Sequence, residues 1–185
     1  MKACLPEEAN FKDVEIWFQD EARFGQKGSL SRLWAIKGTR PRVVRQQQFK
    51  YTYLFGAVCP ERGIGVGLLL PYANKDTMKI HLEQISSQIP KGRHAVIVLD
   101  RAGWHTTKKL GQFKNLTLLP LPATSPELNP CEQIWKLLRR TRLSNRSFKD
   151  ENELLDACSE AWNEFIDQPE QVTSLTSRNW ARMKF

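Results

Sequence analysis

Three acidic residues that are far apart in the sequence, Asp20, Asp100 and Glu132, each lie where a predicted strand or helix ends or begins. Asp20 and Asp100 follow apolar, β-branched runs that predict strands, and Glu132 follows an Asn-Pro pair that predicts a helix start. Acids at such positions can converge in space. Grouped carboxylate oxygens suit hard divalent cations such as magnesium or manganese, and paired ions of this kind promote phosphodiester chemistry. We therefore expect a phosphoryl-transfer enzyme that acts on nucleic acid.

Asp20 and Glu132 each have an alternative interpretation. Glu21 competes with Asp20, but neighbouring residues of a strand point to opposite faces, so only one of the two can face the site, and we choose Asp20. With Asn129 as N-cap and Pro130 as the first helical residue, Glu132 occupies the third helical position, which is that of the acid in a capping box. A glutamate held on the first turn of a helix can serve both as a cap and as a metal ligand.

Asp100 is the strongest of the three candidates. It ends the apolar run of residues 94–99, which predicts a strand buried on both faces, and open α/β sheets bind ligands at the carboxyl ends of such strands. The turn that follows carries Trp104 and His105, which can contact DNA. A solvent-exposed loop histidine is an equally good interpretation of His105.

Positive charge is concentrated in two acid-free segments of a chain whose net charge is +8. Residues 22–60 contain eight Lys or Arg residues, and residues 133–149 contain six. Blocks of this kind attract a polyanion, because neutralised phosphates release their counterions; the alternative is a solvated basic surface. The candidates for DNA contact are Lys136, Arg139, Arg140, Trp104, His105, Arg40, Arg42 and Arg45.

The composition excludes several other classes of protein. Hydrophobic residues make up 41% and charged residues 26% of the 185 residues, which is ordinary for a single globular domain. The four cysteines form no C-x-x-C pair, so a zinc site or a disulfide framework is not expected. The chain has no apolar stretch long enough to span a membrane and no signal peptide, so we expect no membrane association and a cytoplasmic protein, nucleoid-associated when bound to DNA.

The order of predicted elements indicates the fold. Strands are predicted at residues 14–20, 50–59, 63–70, 94–99 and 116–121, with short strands near 31–36 and 42–45 in a basic insertion at about 24–48. Helices are predicted at residues 75–88, near 106–113, at 130–143 and at 150–167. An early hairpin gives antiparallel pairing, and a later β-α-β unit gives a parallel crossover. We predict an α/β fold of ribonuclease-H-like (retroviral-integrase-like) type, a mixed five-stranded sheet with helices on both faces.

Three motifs resemble those of mariner-type transposases of the bacterial insertion-sequence branch. They are Phe-Gln-Asp-Glu-Ala-Arg-Phe at residues 18–24, Val-Leu-Asp-Arg-Ala-Gly-Trp-His at 98–105, and Ser-Pro-Glu-Leu-Asn-Pro-Cys-Glu-Gln-Ile-Trp at 125–135. The segment at 33–41 also resembles the stretch that follows the first catalytic strand in that family. The resemblance covers residues 13 to 165, and its third motif is the most specific.

The resemblance implies a single DDE catalytic domain over residues 1–185, with a core at about 13–168. The implied ligands of two magnesium ions, for which manganese can substitute, are Asp20, Asp100 and Glu132. The implied reaction is hydrolytic nicking at transposon ends, followed by attack of the freed 3′ hydroxyl on target DNA. Self-association is implied as well, since the insertion at 24–48 occupies a place where some relatives make dimer contacts.

The chain departs from the family pattern at its amino terminus. Relatives carry helix-turn-helix modules before the catalytic domain, whereas here Asp20 comes almost at once. We expect such a portion to be encoded in a separate reading frame, or the chain to be a truncated remnant. Two alternatives therefore stay open: a catalytically silent DNA-binding or oligomerisation remnant, and a host nuclease of the same fold.

Overall fold

The computed structural model of the chain describes residues 13–27, 34–39, 42, 49–105, 110, 113–123 and 125–181, with the side chain of Trp104 outside this part. Five strands form one sheet, and four α-helices accompany them. The strands are β1 (Val14–Gly25), β2 (Tyr51–Cys59), β3 (Ile64–Leu70), β4 (His94–Leu99) and β5 (Leu116–Pro120). The helices are α1 (Lys75–Gln88), α2 (Cys131–Leu138), α3 (Glu151–Ile166) and α4 (Pro169–Thr176), and a π-helical turn, Arg139–Leu143, extends α2.

The sheet has the order β3-β2-β1-β4-β5 and is mixed, as the sequence predicts. The pairs β1–β2 and β2–β3 are antiparallel, because a tight turn after Cys59 joins β2 directly to β3. The pairs β1–β4 and β4–β5 are parallel and are reached by crossovers. The central strands β1 and β4 are therefore almost fully buried.

Each face of the sheet has its own hydrophobic core. Met78, Leu82 and Ile85 of α1 pack against one face together with Trp17 and Ile97. The opposite face is covered by α2, α3 and α4, whose buried residues include Trp135, Trp162 and Val172. Helices on both faces confirm the predicted fold class. No helix in the described residues is long and apolar enough to cross a membrane.

The described residues differ from the sequence-based elements in several places. β1 does not end at Asp20 but continues to Gly25, because it pairs with β2 up to Tyr51. Residues 34–36, predicted as part of a strand, are irregular, and of the strand predicted at 42–45 only Arg42 is described, outside any strand. The helix predicted near 106–113 lies largely outside the described residues; before it, Gly103–His105 form a short 3-10 helix that was not predicted. Helix α4 was not predicted.

Two glycines paired across β2 and β3 allow a tryptophan cluster to lie directly on the sheet. Gly56 and Gly67 are register partners. A Cβ atom on Gly67 would lie 2.5 Å from Nε1 of Trp162, and one on Gly56 would lie 2.6 Å from the ring of Trp135. The two indoles contact each other with centroids 6.0 Å apart. Only glycine at both positions leaves room for these rings.

We predict that Gly67→Ala lowers the free energy of unfolding by about 1–3 kcal/mol, the usual cost of overpacking a core. Gly103→Ala is the control, since a Cβ there meets no atom within 4 Å. Urea denaturation followed by tryptophan fluorescence measures both. Equal stability of the two variants would show that the rings can move aside.

Candidate active site

The register of the two central strands brings two of the predicted acids level with each other. Phe18 of β1 is the parallel partner of Val98 of β4. Asp20 and Asp100 each lie two residues beyond this pair, so they are level with each other along the strand direction. Both therefore lie at the carboxyl edge of the parallel pair, where open sheets bind ligands. Because β1 continues, Asp20 is a mid-strand residue opposite Gly56 of β2.

The loop before α2 is attached to β1 directly beside Asp20. The side chain of Asn129 is only 5% exposed; its Nδ2 donates to the carbonyl of Gln19 at 2.9 Å, and its Oδ1 accepts from the amide of Cys131 at 3.1 Å. The predicted capping box is wrong: α2 begins at Cys131, its N-cap is Pro130, and the side chain of Asn129 accepts from the first helical amide instead of from the third. Glu132 is consequently the second helical residue, held on the first turn by the anchored loop.

The three acids line one cavity of about 400 Å³. Its other walls come from the segment after β4 and from the loop that leads from β5 to α2. The lining residues outside the three acids are Arg101, Ala102, Leu121, Pro122, Ala123, Ser125, Pro126 and Asn129. The structure thus brings one acid from each of the three sequence motifs to the same cavity.

The carboxyl group of Asp20 is partly buried and has no cationic partner in the described residues. Nε1 of Trp135 donates to Oδ2 of Asp20 at 2.8 Å. Burial raises the pKa of Asp20 to about 7, and the nearby charges of Glu21 and Glu132 act in the same direction, against the hydrogen bond from Trp135. Burial, reinforced by the neighbouring acids, thus makes the ionised form of Asp20 unfavourable without a counter-charge.

Asp100 differs from Asp20 because a histidine holds it. Oδ1 of Asp100 lies 2.8 Å from Nδ1 of His105 and accepts from the amide of Ala102 at 2.8 Å. The other ring nitrogen of His105 lies 2.9 Å from Oε1 of Glu21. The hydrogen bond from His105 lowers the pKa of Asp100. Burial disfavours a charged imidazole, but the bonds to Asp100 and Glu21 outweigh it and raise the pKa of His105 to about 10.

The exposed-loop interpretation of His105 is therefore wrong, since the residue is 4% exposed. Glu21, which the sequence presented only as a competitor of Asp20, points to the other face of β1 and holds this histidine. Trp135 and Asn129 were also missed as parts of the site. The only sequence signals were a histidine five residues after Asp100 and a tryptophan three residues after Glu132.

The donor set fits hard divalent cations. Another buried acid on the same strand, Glu15, has Nη1 of Arg62 at 3.4 Å and Nε of Arg93 at 3.2 Å. Asp20 has no such arginine, and its nearest charges are negative. In the described part of the chain no three side chains of ligand type are close enough to bind one ion together. The fit to a cation rests on the carboxylate oxygens that line the cavity and on the unfavourable ionised form of Asp20.

A second cavity, of about 350 Å³, lies further along β1 and α2 and is basic and aromatic. The guanidinium of Arg139 lies 5.1 Å from the ring centroid of Phe24, and that of Arg23 lies 5.2 Å from that of Tyr51. Nζ of Lys27 lies 5.4 Å from the ring centroid of Phe49. The full lining is Arg23, Phe24, Gly25, Lys27, Phe49, Lys50, Tyr51, Arg139, Leu143, Phe148 and Leu154.

The predicted DNA-contact residues occupy different environments. Lys136 and Arg140 are exposed on the helical segment that carries Glu132, and Arg139 is half-buried in the basic cavity. Arg42 is exposed. Arg40, Arg45 and the side chain of Trp104 lie outside the described residues.

Comparison with known proteins extends the resemblance seen in the motifs. Residues 15–155 match the family of DDE superfamily endonucleases. The uncharacterized protein y4pE/y4sA of Sinorhizobium fredii (strain NBRC 101917 / NGR234) is 48% identical over 131 residues, which cover 71% of this chain and 97% of that protein.

Solved structures of the Mos1 transposase share the fold at low sequence identity. The paired-end complex with the left transposon end gives a TM-score of 0.66 with 17% identity, and covers 88% of this chain and 51% of the other. The Mos1 mariner paired-end complex with Mn gives 0.61 with 17% identity, and covers 89% and 56%. The chain thus spans about half the length of these transposase chains. It belongs to the DDE superfamily endonucleases, and its fold is that of the mariner transposase.

Proposed function

We propose that this chain is the catalytic domain of a DNA transposase, which cuts phosphodiester bonds at transposon ends and joins the 3′ ends to target DNA. The observation that carries the proposal is the single cavity lined by Asp20, Asp100 and Glu132 in a DDE superfamily endonuclease. Mos1 structures with a transposon end, and with Mn or Mg, support the substrate and the ions. The whole chain would form one domain.

In this proposal the three acids bind two magnesium ions, for which manganese can substitute. When bound, the ions supply an activated attacking oxygen and stabilise the charge of the leaving oxygen. The protein itself supplies the negative charge of the three carboxylates and holds these carboxylates in position. The indole of Trp135 fixes the rotamer of Asp20 by its hydrogen bond to Oδ2, and the anchor of Asn129 on β1 fixes the turn that carries Glu132.

The basic cavity continues the proposed DNA path from the carboxylate cavity. Phe24 lies four residues beyond Asp20 on the same face of β1, about 13 Å along an extended strand, and its ring lies beside the guanidinium of Arg139. Arg139 lies seven residues beyond Glu132, about 10 Å along a helix. The strand and the helix therefore lead from the acids to the same basic surface. Cations stacked on aromatic rings have restricted side chains, and rings such as Tyr51 offer a stacking surface to unpaired bases.

The charges on this path are not all available to DNA. Lys50 forms an ion pair with Glu151 at 3.1 Å, and Arg142 forms one with Glu164 at 2.7 Å. Among the described residues Lys27, Lys136 and Arg140 are exposed and form no ion pair with an acid. These three residues are consequently good candidates for phosphate contacts. Self-association and a separately encoded helix-turn-helix portion are further parts of the proposal.

Replacing each acid by its amide tests the reaction. We expect Asp20→Asn, Asp100→Asn and Glu132→Gln each to reduce nicking and strand transfer by about 10³-fold or more, since charge stabilisation by the ions contributes several kcal/mol. The measurement is cleavage and joining of a pre-assembled end oligonucleotide with Mg²⁺ or Mn²⁺. Glu127→Gln, an exposed acid of the same loop, is the control and should retain activity. Normal nicking by an amide variant would remove that acid from the mechanism.

The raised pKa of Asp20 predicts that protons compete with the cation. The carboxyl is protonated below pH 7 in the metal-free chain and must lose this proton when an ion binds. Mn²⁺ affinity should therefore be constant above about pH 7.5 and should fall by up to about tenfold per pH unit below pH 7. Calorimetric titration between pH 5.5 and 8.5 measures it, and Asp20→Asn should flatten the profile. A profile of equal slope in that variant would assign the proton to another group.

Salt dependence tests the DNA path. Lys27→Gln and Lys136→Gln should each weaken binding of duplexes regardless of sequence and reduce the slope of log K against log salt by about 0.9, the value for one lost phosphate contact. Lys91→Gln is the matched control, an exposed lysine before β4 at the opposite edge of the sheet. Fluorescence anisotropy at several salt concentrations gives the slopes. Equal slopes for all three variants would place the DNA elsewhere.

A further inference from the structure

The imidazole of His105 connects two acids that come from different strands. Nδ1 lies 2.8 Å from Oδ1 of Asp100, and Nε2 lies 2.9 Å from Oε1 of Glu21. Ionised carboxylates only accept hydrogen bonds, so both ring nitrogens donate, and the ring is held at both ends. The contact between Glu21 and His105 joins positions 84 residues apart in the chain.

The three residues that are joined by these contacts, Asp100, His105 and Glu21, differ in the exposure of their side chains. The side chain of Asp100 is 57% exposed, whereas those of His105 and Glu21 are 2% and 7% exposed. Asp100 follows the last residue of β4, so packing against neighbours does little to fix its rotamer. His105 and Glu21 are fixed by the surrounding protein. The buried pair therefore sets the orientation of the exposed acid.

The backbone supports the same arrangement. The amide of His105 donates to the carbonyl of Ala102 at 2.9 Å, which closes the 3-10 turn and places the ring beside β4. Both side-chain bonds to Asp100, from His105 and from the amide of Ala102, go to Oδ1. The carboxylate is thus bound through one oxygen, and Asp100 still lines the cavity.

We propose that Glu21 and His105 are positioning residues, which hold the carboxylate of Asp100 in the orientation that binds a divalent cation. The inference rests on the proposed function, because it requires Asp100 to be a metal ligand. It assigns different tasks to the Asp20-Glu21 dipeptide: Asp20 is a ligand on one face of β1, and Glu21 supports the ligand of the next strand from the other face. A histidine that merely tied the turn to β1 would affect stability but not cation affinity.

Two substitutions of His105 separate these roles. Asparagine can place its amide nitrogen near the position of Nδ1 and keep the bond to Asp100, whereas glutamine reaches the position of Nε2 and keeps only the bond to Glu21. We expect His105→Gln to raise the dissociation constant for Mn²⁺ by about 10- to 100-fold, the usual effect of losing a residue that orients a ligand. His105→Asn should recover part of this loss, and Glu21→Ala should weaken affinity in the same direction.

The measurement is an electron paramagnetic resonance titration of Mn²⁺ with the full chain stripped of metal at pH 8, accompanied by thermal unfolding of each variant. His94→Gln is the matched control. His94 begins β4, at the end of the strand that is distant from Asp100, and its Nε2 lies 2.9 Å from Oγ1 of Thr117. This variant should leave Mn²⁺ affinity unchanged. In an Asp100→Asn background, His105→Gln should have no further effect, because its influence acts through Asp100.

The outcomes distinguish this inference from the proposed function. If the unaltered chain shows no Mn²⁺ binding that depends on Asp100, the proposed function fails and this inference fails with it. If such binding exists but His105→Gln and Glu21→Ala leave it unchanged, only this inference is overturned. If His105→Gln does not fold, Glu21→Ala and His105→Asn decide the question. Equal affinity for the asparagine and glutamine variants would also contradict the positioning role.

Discussion

The hydrogen bond from the indole of Trp135 to Asp20 connects the two elements on which the site depends. It joins the helix that carries Glu132 to the strand that carries Asp20. The indole reaches this position because it packs closely on Gly56, beside the ring of Trp162, which packs on Gly67. The site geometry therefore depends on two glycines that carry no functional group. A core that contained larger side chains here would lift α2 and separate Glu132 from Asp20.

The two buried acids of β1, Glu15 and Asp20, have opposite electrostatic surroundings. Glu15 at the beginning of the strand is completely buried, but Arg62 and Arg93 neutralise it. Asp20 near the other end lies among acids, and burial raises its pKa to about 7. Removing a charge from water without a partner is unfavourable, so a folded chain either supplies a counter-charge or leaves the acid protonated. At Glu15 the protein supplies the counter-charge, and in the proposed function a metal ion supplies it at Asp20.

The sequence predicted the five strands and three of the four described α-helices, because these features are local, whereas the assignment of the three acids as ligands stays a prediction. Alternating or continuous apolar runs report burial directly, and the Asn-Pro pair reports a helix start. What it could not predict depends on contacts between distant segments. The extension of β1 past Asp20 requires pairing with β2, and the role of Asn129 requires the carbonyl of Gln19. The local pattern predicts Asn129 only as a helix cap, whereas its side chain accepts from the first amide of α2 and also anchors the loop to another element.

The same reasoning explains why Glu21 was assigned to no function. Strand alternation places Asp20 and Glu21 on opposite faces of β1, as the sequence predicts. It does not predict that both faces contribute contacts around Asp100. Residues at the carboxyl edge of this sheet can be contacted from both faces. The turn after β4 carries His105, which reaches Glu21 on the face opposite to Asp20. Asp100 lies at this edge, between the two faces, and can be a ligand on one side while it is held from the other. Adjacent acids at such an edge are therefore better explained as two parts of one site than as competitors for one role.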